Sequence, residues 1–215
     1  RNQWQTARAF DENVFPSQGD HLLGYLRTKW VSEKLIFDAI KHGVSCYVFR
    51  PPFICEGEGA HGGLSKDDFM LNKIQASVEL GSIPTEGFYL DMYPADVLAA
   101  NMVAIVGKKQ YHNRVFQLTN PEKITWGEVV KVLQAGGYPL HELSYRDWLT
   151  QVQSVPNSLT PFLPFIVPLS DTDKSIYEQY HGTWPQVLDT NVIEALKERK
   201  QPPPVRELLR RYLPH

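Results

Sequence analysis

From Leu22 onward, apolar positions recur at helical spacing. Val31, Leu35 and Ala39 form one line, Ile36 and Ile40 the next, and Gly43 offers a stop, so the pattern predicts a helix over about 22–42. Val44-Ser45-Cys46-Tyr47-Val48-Phe49-Arg50 is β-branched and aromatic and reads as a strand, ended by Pro51-Pro52 because proline has no N–H to give a ladder. A helix, a short turn and a strand in that order is the repeating unit of a parallel sheet. Further on, Ser65-Lys66-Asp67-Asp68 reads as a capped helix start with Ser65 at the cap, and the helix runs through Phe69, Ile74, Val78 and Leu80 to Gly81. Phe88 to Tyr93 reads as one short strand. Pro94-Ala95-Asp96-Val97 opens an apolar helix ending at Gly107, with Asp96 suited to its N-terminal dipole. Val115 to Leu118 is a strand closed by Asn120-Pro121, and Trp126 to Leu133 a helix, followed by a strand reaching Tyr145.

The two ends carry different patterns. Residues 1–20 are polar and rich in turn formers, including Asp11-Glu12-Asn13, and read as loop. Residues 154–170 combine proline with Leu159, Phe162, Leu163, Phe165 and Ile166. A detached linker is not this apolar, so the segment is expected to pack as a lid or as short helices. Ile193 to Arg199 and Val205 to Leu213 read as closing helices split by Pro202-Pro203-Pro204, with Arg206, Arg210 and Arg211 on a solvated face. There is no internal repeat.

Composition narrows the class. The chain has 215 residues, 42% hydrophobic and 21% charged, enough for a sizeable core in one or two domains. A formal net charge of −2 supplies no overall attraction to nucleic acid or an anionic membrane surface, so neither partner is expected. No apolar run approaches the roughly 20 residues that span a bilayer, and Arg1 to Gln5 has no signal-peptide core. Cys46 and Cys55 are too few for a disulfide framework and point to two thiols in a reducing, cytoplasmic setting. Asp67 and Asp68 form an acidic pair, but no His or third acid stands at ligand spacing, so they are read as capping residues and no metal site is expected.

The chemistry concentrates at Gly24-Tyr25-Leu26-Arg27-Thr28-Lys29-Trp30-Val31-Ser32-Glu33-Lys34. Tyr25 and Lys29 stand four residues apart in a helical run, so both leave the same face of one helix. A cation beside a phenol favours the phenolate and brings the tyrosine toward proton transfer near neutral pH. Gly57-Glu58-Gly59-Ala60-His61-Gly62 fits the spacing of a dinucleotide fingerprint. Glu56 and Glu58 would set carboxylates beside the phosphates, and two prolines separate the strand from the first glycine, so it is read as a surface loop with a solvated His61.

Gly-Tyr-x-x-Thr-Lys-Trp-Val-x-Glu resembles the catalytic helix of the extended short-chain dehydrogenase/reductase family, and within it the thioester (carboxylic acid) reductase branch. The branch terminates nonribosomal peptide and polyketide synthases and includes α-aminoadipate reductases. Arg50-Pro51-Pro52-Phe53-Ile54 is similar to the family's Arg-Pro-x-x-Ile segment along the nicotinamide end of the cofactor, with Pro52 where the family usually has Gly. Asp67-Asp68-Phe69, Pro94-Ala95-Asp96-Val97-Leu98-Ala99, Phe116-Gln117-Leu118-Thr119-Asn120-Pro121, Gly137-Tyr138-Pro139-Leu140 and Tyr145-Arg146-Asp147-Trp148-Leu149 continue the resemblance.

The resemblance implies an α/β fold: the C-terminal part of a Rossmann-type parallel sheet over 1–60 and 94–121, carrying a smaller, mainly helical substrate-binding region over 61–93 and 122–215. It implies Tyr25 and Lys29 as catalytic residues, and Tyr25, Lys29, Pro51, Pro52, Phe53 and Ile54 as cofactor-binding residues. It further implies NADPH as cofactor and release of an aldehyde or alcohol from a phosphopantetheinylated acyl or peptidyl carrier protein. The family's phosphate-binding glycine loop and its catalytic Ser or Thr come before the catalytic tyrosine. Here only Thr6 is a candidate for the latter, close to Tyr25 and without a preceding strand, so a fragment is expected whose further partner is the N-terminal half of the reductase domain. Two alternatives stay open, an extended reductase or epimerase on a free acyl-CoA or nucleotide sugar, and a non-catalytic carrier-docking module of a megasynthase.

Overall fold

A computed structural model describes residues 9–10, 12, 24–57, 67–87, 89–167 and 186–213. Ser65, Thr6, His61 and most of the Gly57–Gly62 stretch fall outside them. The chain divides into two compact units, Arg1–Gly59 with Tyr93–Asn120 and Pro185–Pro202, and Ala60–Met92 with Trp184-terminated Pro121–Trp184 and Pro203–His215.

In the first unit, helix α1 (Gly24–Lys41) ends at Gly43, whose φ of 89° is the left-handed conformation that a side chain would strain. The chain reverses there into β2 (Tyr47–Arg50). β2 pairs in parallel with β7 (Arg114–Gln117), from Tyr47 opposite Arg114 to Arg50 opposite Gln117. A parallel pair needs a long crossover, and α3 (Ala95–Val106) lies on it. The core of the unit gathers Tyr93, Val97, Leu98 and Ile105 with Phe116, Leu118, Val192 and Ala195, and the Phe49 and Phe116 rings stack with centroids 5.5 Å apart.

Two features of this unit depart from the sequence reading. Val31, Leu35 and Ile36 of α1, expected on the buried stripe, are 46%, 64% and 39% exposed, and the helix instead leans on its Phe37 to Ile40 end. Pro51-Pro52 interrupts the strand only briefly, because β3 (Phe53–Cys55) follows and runs beside β6 (Met92–Pro94).

Residues 9, 10 and 12 are tied in as well. β1 (Ala9–Phe10) pairs in parallel with β10 (Gln186–Val187), and Glu12, read as loop, is buried. Its two carboxylate oxygens accept from the backbone N–H of Gln117 at 2.8 Å and of Asn191 at 2.5 Å. The second bond meets the first turn of α7 (Thr190–Ala195), whose Asn191 donates onward to the Val115 carbonyl at 2.7 Å. These bonds account for Pro185–Pro202 belonging to the first unit, whereas the sequence reading placed all of 122–215 in the substrate region.

In the second unit, α2 (Phe69–Leu80) starts one turn later than Ser65 would cap it. Asp68 is the cap, its carboxylate accepting from the Leu71 N–H at 2.8 Å, and Gly81 closes the helix at φ 65°. The expected strand Phe88–Tyr93 is two strands, because the partners change at Asp91. β5 (Tyr89–Leu90) pairs antiparallel with β8 (Ile124–Thr125), and β6 pairs elsewhere. β4 (Ser82–Pro84) pairs in parallel with β9 (His141–Leu143). Thr125 and Glu128 form a reciprocal cap on α4 (Trp126–Ala135). Helix α5 (Tyr145–Ser154) packs Trp148, Leu149 and Val152 against Ala76, Leu159 and Ile166, so the apolar segment after Ser154 lies in a core as short helical turns, Thr160–Phe162 and α6 (Leu163–Ile166). The closing helices are shorter than predicted, α7 as given and α8 (Val205–Arg210).

Candidate active site

Helix α1 carries Tyr25 and Lys29 one turn apart, as the spacing requires, and the Lys29 side chain is exposed. The Tyr25 side chain falls outside the described residues. Because α1 runs into β2 through a tight reversal, its N-terminal half lies alongside the carboxyl end of that strand. The contact that demonstrates this is Glu33 with Arg50, the last residue of β2: Arg50 Nε donates to Glu33 Oε2 at 3.2 Å and a terminal guanidinium nitrogen donates to Oε1. Lys29 precedes Glu33 by four residues, about 6 Å along the helix axis.

β2 and β7 end together at Arg50 and Gln117, and the carboxyl edge of parallel strands is where open α/β folds take ligands. At that edge Pro51 and Ile54 are exposed and Pro52 and Phe53 half-buried, an apolar surface following directly on the Glu33–Arg50 pair. Gly57 then passes close to α3: a Cβ there would lie 3.0 Å from the Asp96 carboxylate, so a side chain at this position would crowd Asp96. Asp96 itself sits in the first turn of α3, with the Lys200 ammonium at 3.6 Å.

The sequence reading gave no partner to three charged residues. Glu33 stands on the Tyr25–Lys29 line, and its i+8 spacing from Tyr25 was the available signal. Glu12 had none, since an acid in a polar stretch announces no partner. Its burial pushes the carboxyl above its ordinary value, against the two backbone N–H groups that hold the carboxylate. In the second unit, Lys73 is buried on α2 where the pattern wants an apolar residue, its ammonium bonded to both Glu86 oxygens at 2.7 and 2.5 Å and lying 4.6 Å from the Trp126 ring centre. Desolvation pushes Lys73 down, with Glu86 opposing. Among the described residues no group of three or more His, Cys, Asp or Glu side chains is placed to hold a metal, and no helix is long and apolar enough to cross a membrane.

The NAD-binding family described as Male sterility protein matches residues 3–102. A nonribosomal peptide synthetase of Aspergillus flavus, asaC, is 33% identical over 156 residues, which are 69% of this chain and 15% of that protein. L-2-aminoadipate reductase of Saccharomyces cerevisiae is 28% identical over 184 residues, 81% of this chain and 12% of that protein. The chain therefore spans a small part of these curated relatives. Among solved structures, the terminal R domain from the myxalamid PKS-NRPS biosynthetic pathway superposes with a TM-score of 0.77 at 23% identity, over 95% of this chain and 52% of that one. The architecture shared with it is Rossmann-type α/β. The family match takes in the Tyr25–Lys29 helix, and together with these relatives and the shared fold it agrees with the resemblance to the thioester reductase branch of the extended short-chain dehydrogenase/reductase family.

Proposed function

We propose that this chain belongs to an NADPH-dependent reductase that releases a carrier-bound acyl or peptidyl thioester as an aldehyde or alcohol. The observation that carries this reading is the placement of the Tyr25–Lys29 helix beside the carboxyl end of β2, where Pro51 to Ile54 begin. The residues present suit the nicotinamide half of the cofactor, with an exposed ammonium at Lys29 for the ribose hydroxyls and an open apolar surface at Pro51, Pro52, Phe53 and Ile54 for the ring. When bound, the reduced nicotinamide supplies the hydride. Tyr25 gives a hydrogen bond, then a proton, to the thioester carbonyl oxygen as charge builds on it, and the C–S bond of the resulting hemithioacetal then breaks to release the aldehyde and leave the carrier's thiol. Lys29 favours the phenolate form of Tyr25 and holds the ribose. The partners of this reading are a phosphopantetheinylated carrier protein and the N-terminal half of a reductase domain, for which the exposed Val31, Leu35 and Ile36 of α1 offer an apolar face.

The test is NADPH oxidation by the intact protein with an acyl thioester presented on a carrier protein, on coenzyme A, or replaced by a nucleotide sugar. Carrier-dependent turnover is expected, and Tyr25→Phe should lower kcat by about 10²-fold or more with little change in cofactor affinity. Near-full turnover by Tyr25→Phe would refute the assignment.

A further inference from the structure

Tyr25, Lys29 and Glu33 succeed one another at four-residue spacing, so Glu33 continues the line of the two chemistry-bearing residues one turn deeper into α1. Its carboxylate is gripped by the Arg50 guanidinium through two hydrogen bonds, with the two side chains only 19% and 15% exposed. A two-pronged carboxylate–guanidinium pair fixes direction as well as distance, which a single point contact does not. Arg50 is also the residue from which Pro51 to Ile54 depart. One ion pair thus joins the helix bearing Tyr25 and Lys29 to the strand end bearing the segment read as the cofactor wall. By contrast, the Lys41–Asp38 pair at the other end of α1 is a solvent-exposed contact within one helix and fixes it against nothing.

We propose that Glu33 and Arg50 are a positioning pair for the reduction, setting the rotation and axial position of α1 so that Tyr25 and Lys29 meet the substrate carbonyl and cofactor at Pro51 to Ile54. This rests on the function proposed above. Neither residue touches the reacting atoms. Displacing catalytic groups by as little as 1 Å is enough to slow a reaction by about 10²-fold.

The experiment uses the intact protein with Glu33→Gln, Arg50→Met and the double variant Glu33→Met/Arg50→Met. The single variants strand a half-buried charge and are expected to destabilise, whereas replacing both charges by apolar groups generally spares the fold. The double variant therefore decides. It should melt close to the parent yet show kcat lowered by at least about tenfold. Its KM for the thioester should be unchanged, and its pH–rate profile should move toward higher pH as Lys29 ceases to assist Tyr25. Amide hydrogen exchange over residues 24–34 should quicken while β7 stays protected. A double variant that keeps kcat within about twofold, with the parent pH profile, overturns the proposal. So does one that loses the fold as a whole, since the pair would then hold the unit together rather than aim one helix. If the parent shows no NADPH-dependent reduction, the functional reading fails by itself. The exchange comparison then still decides whether the pair fixes α1, and unchanged exchange over 24–34 overturns that.

Discussion

Removing Glu86 is expected to be among the most damaging single changes in the second unit. Lys73 is 1% exposed and Glu86 4%, so both charges have left water. At the 2.7 Å contact their attraction is about 6 kcal/mol for an effective dielectric constant of about 20. Burial costs several kcal/mol for each ion, so the intact pair roughly balances. Glu86→Gln deletes the attraction and leaves the Lys73 penalty, for an expected loss of about 3–5 kcal/mol at neutral pH. Desolvation already holds Lys73 below its ordinary 10.5, and without Glu86 it should fall further. A folded lysine with a depressed pKa binds fewer protons than the unfolded one, so the variant's stability should rise with pH from that lowered value toward 10.5, and its deficit should narrow. The double change Lys73→Met/Glu86→Leu should be neutral or stabilising by about 1–4 kcal/mol, with Met filling the space against Trp126 and Trp148. Equilibrium urea unfolding followed by tryptophan fluorescence, at neutral and alkaline pH, measures all three. A Glu86→Gln loss under about 1 kcal/mol, or a double variant less stable than the single, would refute the reasoning.

Three further outcomes are expected. In steady-state kinetics, Lys29→Ala should raise the KM for NADPH and lower kcat together, because the residue is assigned to both ribose and Tyr25; a change in only one would divide that assignment. Glu12, raised above 4.5 by burial, should contribute its full stabilisation below 4.5 and lose it as pH rises through its raised folded value. Denaturant midpoints measured across about pH 4 to 8 should therefore show the parent falling relative to Glu12→Gln as pH rises, and a parent that gains on the variant would contradict the burial argument. Gly81→Ala should cost about 1 kcal/mol in thermal melts despite having room, its nearest neighbour for a Cβ being the Pro139 carbonyl at 4.0 Å, because φ 65° strains a side chain.

Periodicity and turn chemistry were enough to read α1, the Gly43 and Gly81 stops, the β2 and β7 strands and the α3 and α4 helices, because each obeys local rules of spacing and backbone freedom. The Tyr25-x-x-x-Lys29 helix and the Arg50-Pro51 segment were legible for the same reason, and their resemblance to a reductase family agrees with the relatives found. Strands of two or three residues, such as β3, β8 and β10, were not, since so short a segment is made a strand by its neighbour. Ser65 and Asp68 are both sound caps by composition, and the helix start was settled by the Asp68 carboxylate, which accepts from the Leu71 N–H. The charges show the limit most clearly. Glu12, Glu33, Lys73 and Glu86 look like surface residues in a linear chain, and only folding brings each to a partner far along it: Gln117 and Asn191, Arg50, and each other. Burial makes such a partner obligatory, and burial is a property of the assembled structure that no single stretch of sequence carries.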